Sequence, residues 1–224
     1  MEIINFEDKI VSSGNYFNLT GNIDLQRFMT TYHSEAIKSG NKVDKRLIKS
    51  YIGKLPIFIG EDVNSLDKIL NLIKENPNGL IIFKGYILDS NKGKKIEIDF
   101  LVLKDNVIYC CELKEGNNFD TKKSKSEIDN LEKIEEIFKQ HNFNVSLGFV
   151  CMNVKDEKHS IKDKRAKKYF INGFNFCEKF NFNYNEYNQL IIKPQLENEK
   201  KCFEFLEEII NKYKQNNKYY ATTM

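Results

Sequence analysis

Apolar residues recur at helical spacing over the first third of the chain. Leu25, Phe28, Met29, Tyr32 and Ala36 form one face, starting after Asn22 or Asp24 as a cap and stopping at Ser39-Gly40-Asn41. A second helix begins near Asn41, with Val43, Leu47, Ile48 and Tyr51 on one face, and ends near Gly53 to Pro56. Pro56 to Ile59 is a short extended piece. Val63, Leu66, Ile69, Leu70 and Ile73 then predict a third helix, closed before Asn76-Pro77-Asn78-Gly79.

Beyond Gly79 the period changes from helical to extended. Leu80 to Leu88 reads as a first strand, followed by a turn at Asp89 to Gly93. Lys94 to Leu103 starts in strict alternation and becomes apolar on both faces. Asp105-Asn106 turns the chain, and Val107 to Lys114 follows as a second apolar run closed by Glu115-Gly116-Asn117-Asn118, so the pair reads as a β-hairpin. Ile128, Leu131, Ile134, Ile137 and Phe138 predict a helix of about fifteen residues, capped by Ser124 or Ser126 and ending near His141-Asn142. Asn144 to Asn153 is a fourth strand. Strand, helix, strand is a crossover unit, which makes the last two strands parallel. The pattern therefore predicts a mixed α/β (α+β) fold: a central mixed sheet of four or more strands flanked by helices.

The hairpin carries the chemistry. Side chains alternate along a strand, so Glu112 and Lys114 project from the face of Ile108 and Cys110, while Cys111 and Leu113 go to the other. Burying a lone charge costs several kcal/mol, so so apolar a strand should end in charges only where they are paired, metal-bound or at a solvent cleft. Folding the hairpin brings Asp99 beside them. Two carboxylates and an amine converging at a strand end make a metal site with a cationic helper.

Asp99 followed by Glu112-Leu113-Lys114 resembles the acidic, acidic-x-Lys signature of the PD-(D/E)XK nuclease superfamily, with Ile98 in place of the proline that names the motif. The longer stretch Glu112 to Ser124 resembles, more narrowly, type II restriction endonucleases. Acid-x-Lys triplets also occur at Glu7-Asp8-Lys9, Asp120-Thr121-Lys122, Asp156-Glu157-Lys158 and Glu199-Lys200-Lys201, but only the one at Glu112 ends an apolar strand and has an acidic residue at a suitable distance on an apolar strand before it. The resemblance implies a restriction-endonuclease-like core and a Mg2+-dependent, sequence-specific endonuclease acting on double-stranded DNA, leaving 5′-phosphate and 3′-hydroxyl ends. In it Asp99 and Glu112 bind the metal with the backbone carbonyl of Leu113, and Lys114 orients the attacking water or stabilises developing charge. Lys122 and Lys123 contact the DNA backbone, or are solvated charges before a helix. The restriction-type likeness further implies a homodimer and a companion DNA methyltransferase. A repair or junction-resolving nuclease of the same superfamily and a noncatalytic DNA-binding domain are the alternatives. The superfamily often recruits another acid from an upstream helix, for which Asp44 is favoured over Glu35; a surface acid interacting with the helix dipole is the other reading of Asp44.

Composition changes this picture little. The 224 residues, 41% hydrophobic and 12% aromatic, suffice for one domain, 1–224, with helices at about 22–75, a sheet core at about 80–153 and a C-terminal segment at about 155–216. A balance of 35 basic against 32 acidic residues does not announce a polyanion partner. Lys155 to Lys168 is locally basic, as a solvated face or a phosphate-contacting surface. Tyr169 to Leu190, dense in aromatics and Asn, either completes the core or reads DNA. The five cysteines lack zinc-ligand spacing and suit a reducing compartment as small core residues. His33, His141 and His159 lie in no motif and read as surface or capping residues. A last helix from Glu197 to about Lys214 is expected to bury Cys202, Phe203, Leu206, Ile209, Ile210 and Tyr213, with a frayed tail from Asn216. No secretory leader or membrane span is apparent, so a cytoplasmic protein is expected.

Overall fold

The computed structural model describes residues 22–40, 42–89, 94–115, 121–153 and 164–221. The predicted turn at 90–93, the residues 116–120 after the triplet, most of the basic segment, His159 and the N-terminal stretch lie outside the described residues. The chain divides into two compact units, 43–184 and the combination of 1–42 with 185–224.

The larger unit is a six-stranded mixed sheet in the order β1-β2-β3-β4-β5-β6. Its strands are β1 (Ile57–Ile59), β2 (Leu80–Asp89), β3 (Lys94–Lys104), β4 (Val107–Lys114), β5 (Asn144–Cys151) and β6 (Phe170–Asn172). Strands β2, β3 and β4 form the expected antiparallel meander, and β4 to β5 is the expected parallel crossover. Parallel β1 and β6 add one strand at each edge. The sheet is mixed and flanked by helices, as in a restriction-endonuclease-like core. Asp105 and Asn106 both take positive φ in the β3–β4 turn, a conformation that Asn and Asp tolerate best among residues with a Cβ. Gly79 enters β2 at φ +116, where a Cβ would meet the Leu103 carbonyl oxygen at 2.5 Å.

Helix α2 (Val43–Lys49) precedes the sheet and α3 (Leu66–Glu75) follows β1, capped by Ser65. Helix α4 (Thr121–Gln140) connects β4 to β5 and starts earlier than the serines suggested, for twenty residues in all. It buries Ile128, Leu131, Ile134 and Phe138 among Leu80, Ile82, Leu101, Leu103 and Ile108. A short helix α5 (Lys164–Lys168) precedes β6, and α6 (Gly173–Phe180) follows it, capped by Asn172, whose side chain accepts from Asn175 N at 2.8 Å. Alanine at 172 is expected to lower stability by about 1 kcal/mol, read by urea unfolding.

The Tyr169 to Leu190 region supplies core: Phe176, Phe180 and Phe182 are buried against Phe83 and Phe100. The segment after α2 is tied to the segment after α6 by Ile52 N donating to Asn181 O and Asn183 N to Ser50 O, at 3.0 and 2.7 Å. Those bonds, with buried Val43 and Leu47, fix α2 on the unit.

The smaller unit pairs α1 (Ile23–Gly40) with α7 (Tyr184–Ala221). Asn22 caps α1 by accepting from Leu25 N at 2.9 Å. Phe28 stacks on Phe205 at 6.2 Å, amid Leu25, Met29, Cys202, Leu206 and Ile209. Three expectations are corrected here. Helix α7 begins at Tyr184, not Glu197, and carries Pro194 inside it. It continues to Ala221, so the expected tail from Asn216 is helical over most of its length. Phe203, Ile210 and Tyr213 are exposed, as is Tyr32, because the face packed on α1 is the neighbouring one that bears Phe205 and Ile209.

Four cysteines, Cys110, Cys111, Cys151 and Cys177, are buried, and Cys202 is half-buried. Burial pushes their thiols up, to about 12 for Cys111, Cys151 and Cys177. Because the thiolate is the reacting form, a maleimide at neutral pH should label Cys202 alone among the five in the native protein. Peptide mass spectrometry reads this, and all five should react in denaturant. Among the described residues no helix is long and apolar enough to cross a membrane.

Candidate active site

The meander sets the site. Phe100 pairs with Cys111 and Leu101 with Cys110, so the next step of the same ladder places Asp99 beside Glu112, on the face that carries Leu101 and Cys110. Asp99 Oδ2 accepts the Leu113 backbone N–H at 3.0 Å. Glu112 and Lys114, two apart on β4, share a face: Lys114 Nζ donates to Glu112 Oε1 at 2.6 Å. The three residues of the sequence motif therefore converge at the end of the hairpin. Leu113 is buried, and its backbone amide is used by Asp99.

Sequence reasoning missed four neighbours. Glu127, on the first half of α4, accepts from Lys114 Nζ at 2.8 Å, so the ammonium is clamped between two carboxylates. Glu115 pairs with Arg46 of α2. Glu97, two residues before Asp99 on β3, feels the charges of Asp99, Lys84, Lys114 and Asp44. Lys84 of β2 pairs with Asp44, Nζ to Oδ2 at 3.0 Å. Strand alternation puts Glu97 on the face of Asp99, but no periodicity signals the contacts of Glu127, of Glu115 with Arg46 or of Lys84 with Asp44, which depend on where α2 and α4 dock. Asp44 thus reaches the hairpin end, with its other oxygen, Oδ1, buried and without a hydrogen-bond partner among the described residues. Glu35 accepts from Lys38 of its own helix in the smaller unit. Lys122 and Lys123 fall in the first turn of α4. His33 and His141 are exposed.

The electrostatics are dominated by crowded acid. Burial, and then Asp99, push the Glu112 carboxyl up to about 8, against the opposing pull of Lys114. Burial and Asp99 likewise raise Glu97. Burial by itself would lower the Lys114 pKa, but Glu112 and Glu127 outweigh it and the pKa rises, so Lys114 stays an ammonium. Asp44, Glu97, Asp99, Glu112 and Glu127 thus gather around two lysines, and added positive charge would be welcomed. Among the described residues no group of three or more His, Cys, Asp or Glu is placed to hold a metal ion together. Mg2+ asks for less: it keeps several waters and is held by one or two carboxylates plus substrate phosphate. The Asp99 and Glu112 pair, with hard oxygen donors and an unmet negative charge, fits that ion.

Residues 59–147 match the family model described as NERD, nuclease-related domain. The match spans α3, β2 to β4, all of α4 and the start of β5, and so holds Lys84, Glu97, Asp99, Glu112, Lys114 and Glu127. The chain is 26% identical over 184 residues to the type II restriction enzyme HhaII of Haemophilus parahaemolyticus, covering 76% of this chain and 78% of that protein. Among solved structures, the small subunit of the heterodimeric restriction endonuclease R.BspD6I is similar at 16% identity over 65% of this chain and 87% of that one. Its TM-score of 0.28 is too low to argue a shared fold. The sheet core of this chain is therefore similar to nuclease sequences, and that similarity supports a function within a nuclease superfamily.

Proposed function

We propose that the chain is a Mg2+-dependent endonuclease of the PD-(D/E)XK type that cuts double-stranded DNA at specific sites, leaving 5′-phosphate and 3′-hydroxyl ends. The observation that carries it is the meeting of Asp99, Glu112 and Lys114 at one end of the β3–β4 hairpin. Asp99, Glu112 and the Leu113 carbonyl would hold the ion, with Asp44 the further acid of the site. When bound, Mg2+ supplies a Lewis acid that polarises the scissile phosphate and makes a bound water more acidic. Lys114, kept cationic by Glu112 and Glu127, stabilises the charge that develops on the phosphoryl oxygens during in-line attack. Glu127 limits the swing of that ammonium, which keeps it aligned without further ordering cost. Lys122 and Lys123, at the start of α4, are proposed to contact the DNA backbone.

The likeness to HhaII favours a restriction role over repair. With it come a homodimer, so that both strands are cut, and a companion methyltransferase that protects the host DNA. The test is digestion of plasmid DNA with Mg2+ and with EDTA, followed by sequencing of the ends. Discrete fragments with a shared terminal sequence are expected. Structure-dependent nicking would place the protein with repair nucleases, and no cleavage across varied sequences would leave a binding module. Ion binding has its own readout: Mg2+ at about tenfold its Kd should stabilise the protein by about 1.4 kcal/mol. That gain, seen as a rise in Tm, should vanish in Asp99→Asn.

A further inference from the structure

Lys84 interrupts an otherwise apolar strand between buried Phe83 and Gly85, and its φ is +55. A left-handed lysine costs about 1 to 2 kcal/mol, and such strain persists only where the surroundings fix it, commonly at functional sites. Its effect on β2 is visible at the next residue. A Cβ on Gly85 would meet Ile82 Cγ2 at 3.1 Å and Ile69 Cδ1 at 3.6 Å. Residues 82 and 85 thus look toward the same side, which a regular strand forbids to positions three apart. Lys84 is the point at which β2 exchanges its buried face.

The neighbouring register, Phe83 with Phe100 and Gly85 with Ile98, puts this switch opposite Asp99. The side chain remains 38% exposed, while its partner Asp44 is 9% exposed. In strand order, β3 with Asp99 lies between β2 with Lys84 and β4 with Lys114. The acids of the site are therefore flanked by an ammonium from each adjoining strand. Lys114 is held by two carboxylates, whereas among the described residues Lys84 has one ion-pair partner, Asp44, whose second oxygen has no hydrogen-bond partner there.

We propose that Lys84 is a second phosphate-binding group of this site, engaging the DNA backbone from the β2 side of Asp99 as Lys114 does from the β4 side. Asp44 parks the ammonium in the site, and a phosphodiester takes it up on binding. The inference rests on the nuclease reading and assigns that site a residue that neither the motif nor its spacing includes.

The test is DNA binding in a Lys114→Ala background with Mg2+ present, where cleavage is slowed enough for the duplex to outlast each reading. Fluorescence anisotropy with mixed-sequence duplexes of about 30 base pairs, over roughly 50 to 200 mM KCl, gives the salt dependence of affinity. Glycine accepts positive φ without strain, so Lys84→Gly removes the amine while sparing the backbone, and an unchanged Tm verifies the fold. The log–log salt slope should fall in magnitude by about 0.9, and affinity near 0.1 M salt by about eightfold, as loss of one phosphate contact gives. Lys84→Arg should retain both. A merely structural lysine would leave the slope unmoved. If the unmodified protein cuts plasmid DNA but Lys84→Gly keeps the parent slope, the assignment of Lys84 is overturned and the nuclease reading stands. If the unmodified protein neither binds nor cuts DNA, both fall.

Discussion

Replacing Lys114 with alanine is expected to slow Mg2+-dependent cleavage of plasmid DNA by about 10²- to 10³-fold, the usual loss when one preorganised donor to a developing anion is removed. The ammonium sits 2.6 Å from Glu112 and 2.8 Å from Glu127, at the end of the strand bearing the proposed metal ligand. Its removal deletes the cation clamped between these two carboxylates, and leaves them repelling each other. The first consequence lowers the rate constant for the chemical step; the second affects stability, and Tm measures it separately. Glu127→Gln separates positioning from charge: it keeps an acceptor for Lys114, so the rate should fall by only about tenfold. Cleavage by Lys114→Ala at an undiminished rate would remove the ammonium from the chemistry.

The second large effect is on stability. Phe100→Ala should destabilise the protein by about 3 to 5 kcal/mol in urea unfolding, because a fully buried ring leaves a cavity that its neighbours fill only in part. Phe100 lies 5.0 Å from the ring of Phe176, 5.2 Å from Phe83, 5.4 Å from Phe180 and 6.1 Å from Phe182. It follows Asp99 on β3 and pairs with Cys111, so loosening this layer also loosens the carboxylate pair above it. Phe203→Ala offers the contrast: with 66% of its surface exposed, its loss should stay within about 0.5 kcal/mol. Equal effects of the two would mean that the aromatic layer is not where the stability of the sheet unit resides.

The hairpin, the crossover and the convergence of Asp99, Glu112 and Lys114 were legible because each follows from strand alternation and a short turn. Alternation puts residues two apart on one face, and a two-residue turn at Asp105-Asn106 leaves the opposing strand little choice of register. The apolar stripe of α4 was equally readable, but its start was not, since the polar first turn buries nothing that a periodicity would register. The extent of α7 was not legible either, since polar residues interrupt its apolar pattern while the backbone continues through Pro194.

By itself, then, the sequence determined which faces of the β3–β4 hairpin and of α4 are buried and which charged residues end an apolar strand. The tertiary structure alone decided which other groups meet them: Asp44 and Lys84 from α2 and β2, Glu127 from α4, and Arg46 on Glu115. Local period reports a residue's orientation about its own element. It carries nothing about the docking of one element on another, which is settled by the packing of Val43, Leu47 and the α4 stripe into the core.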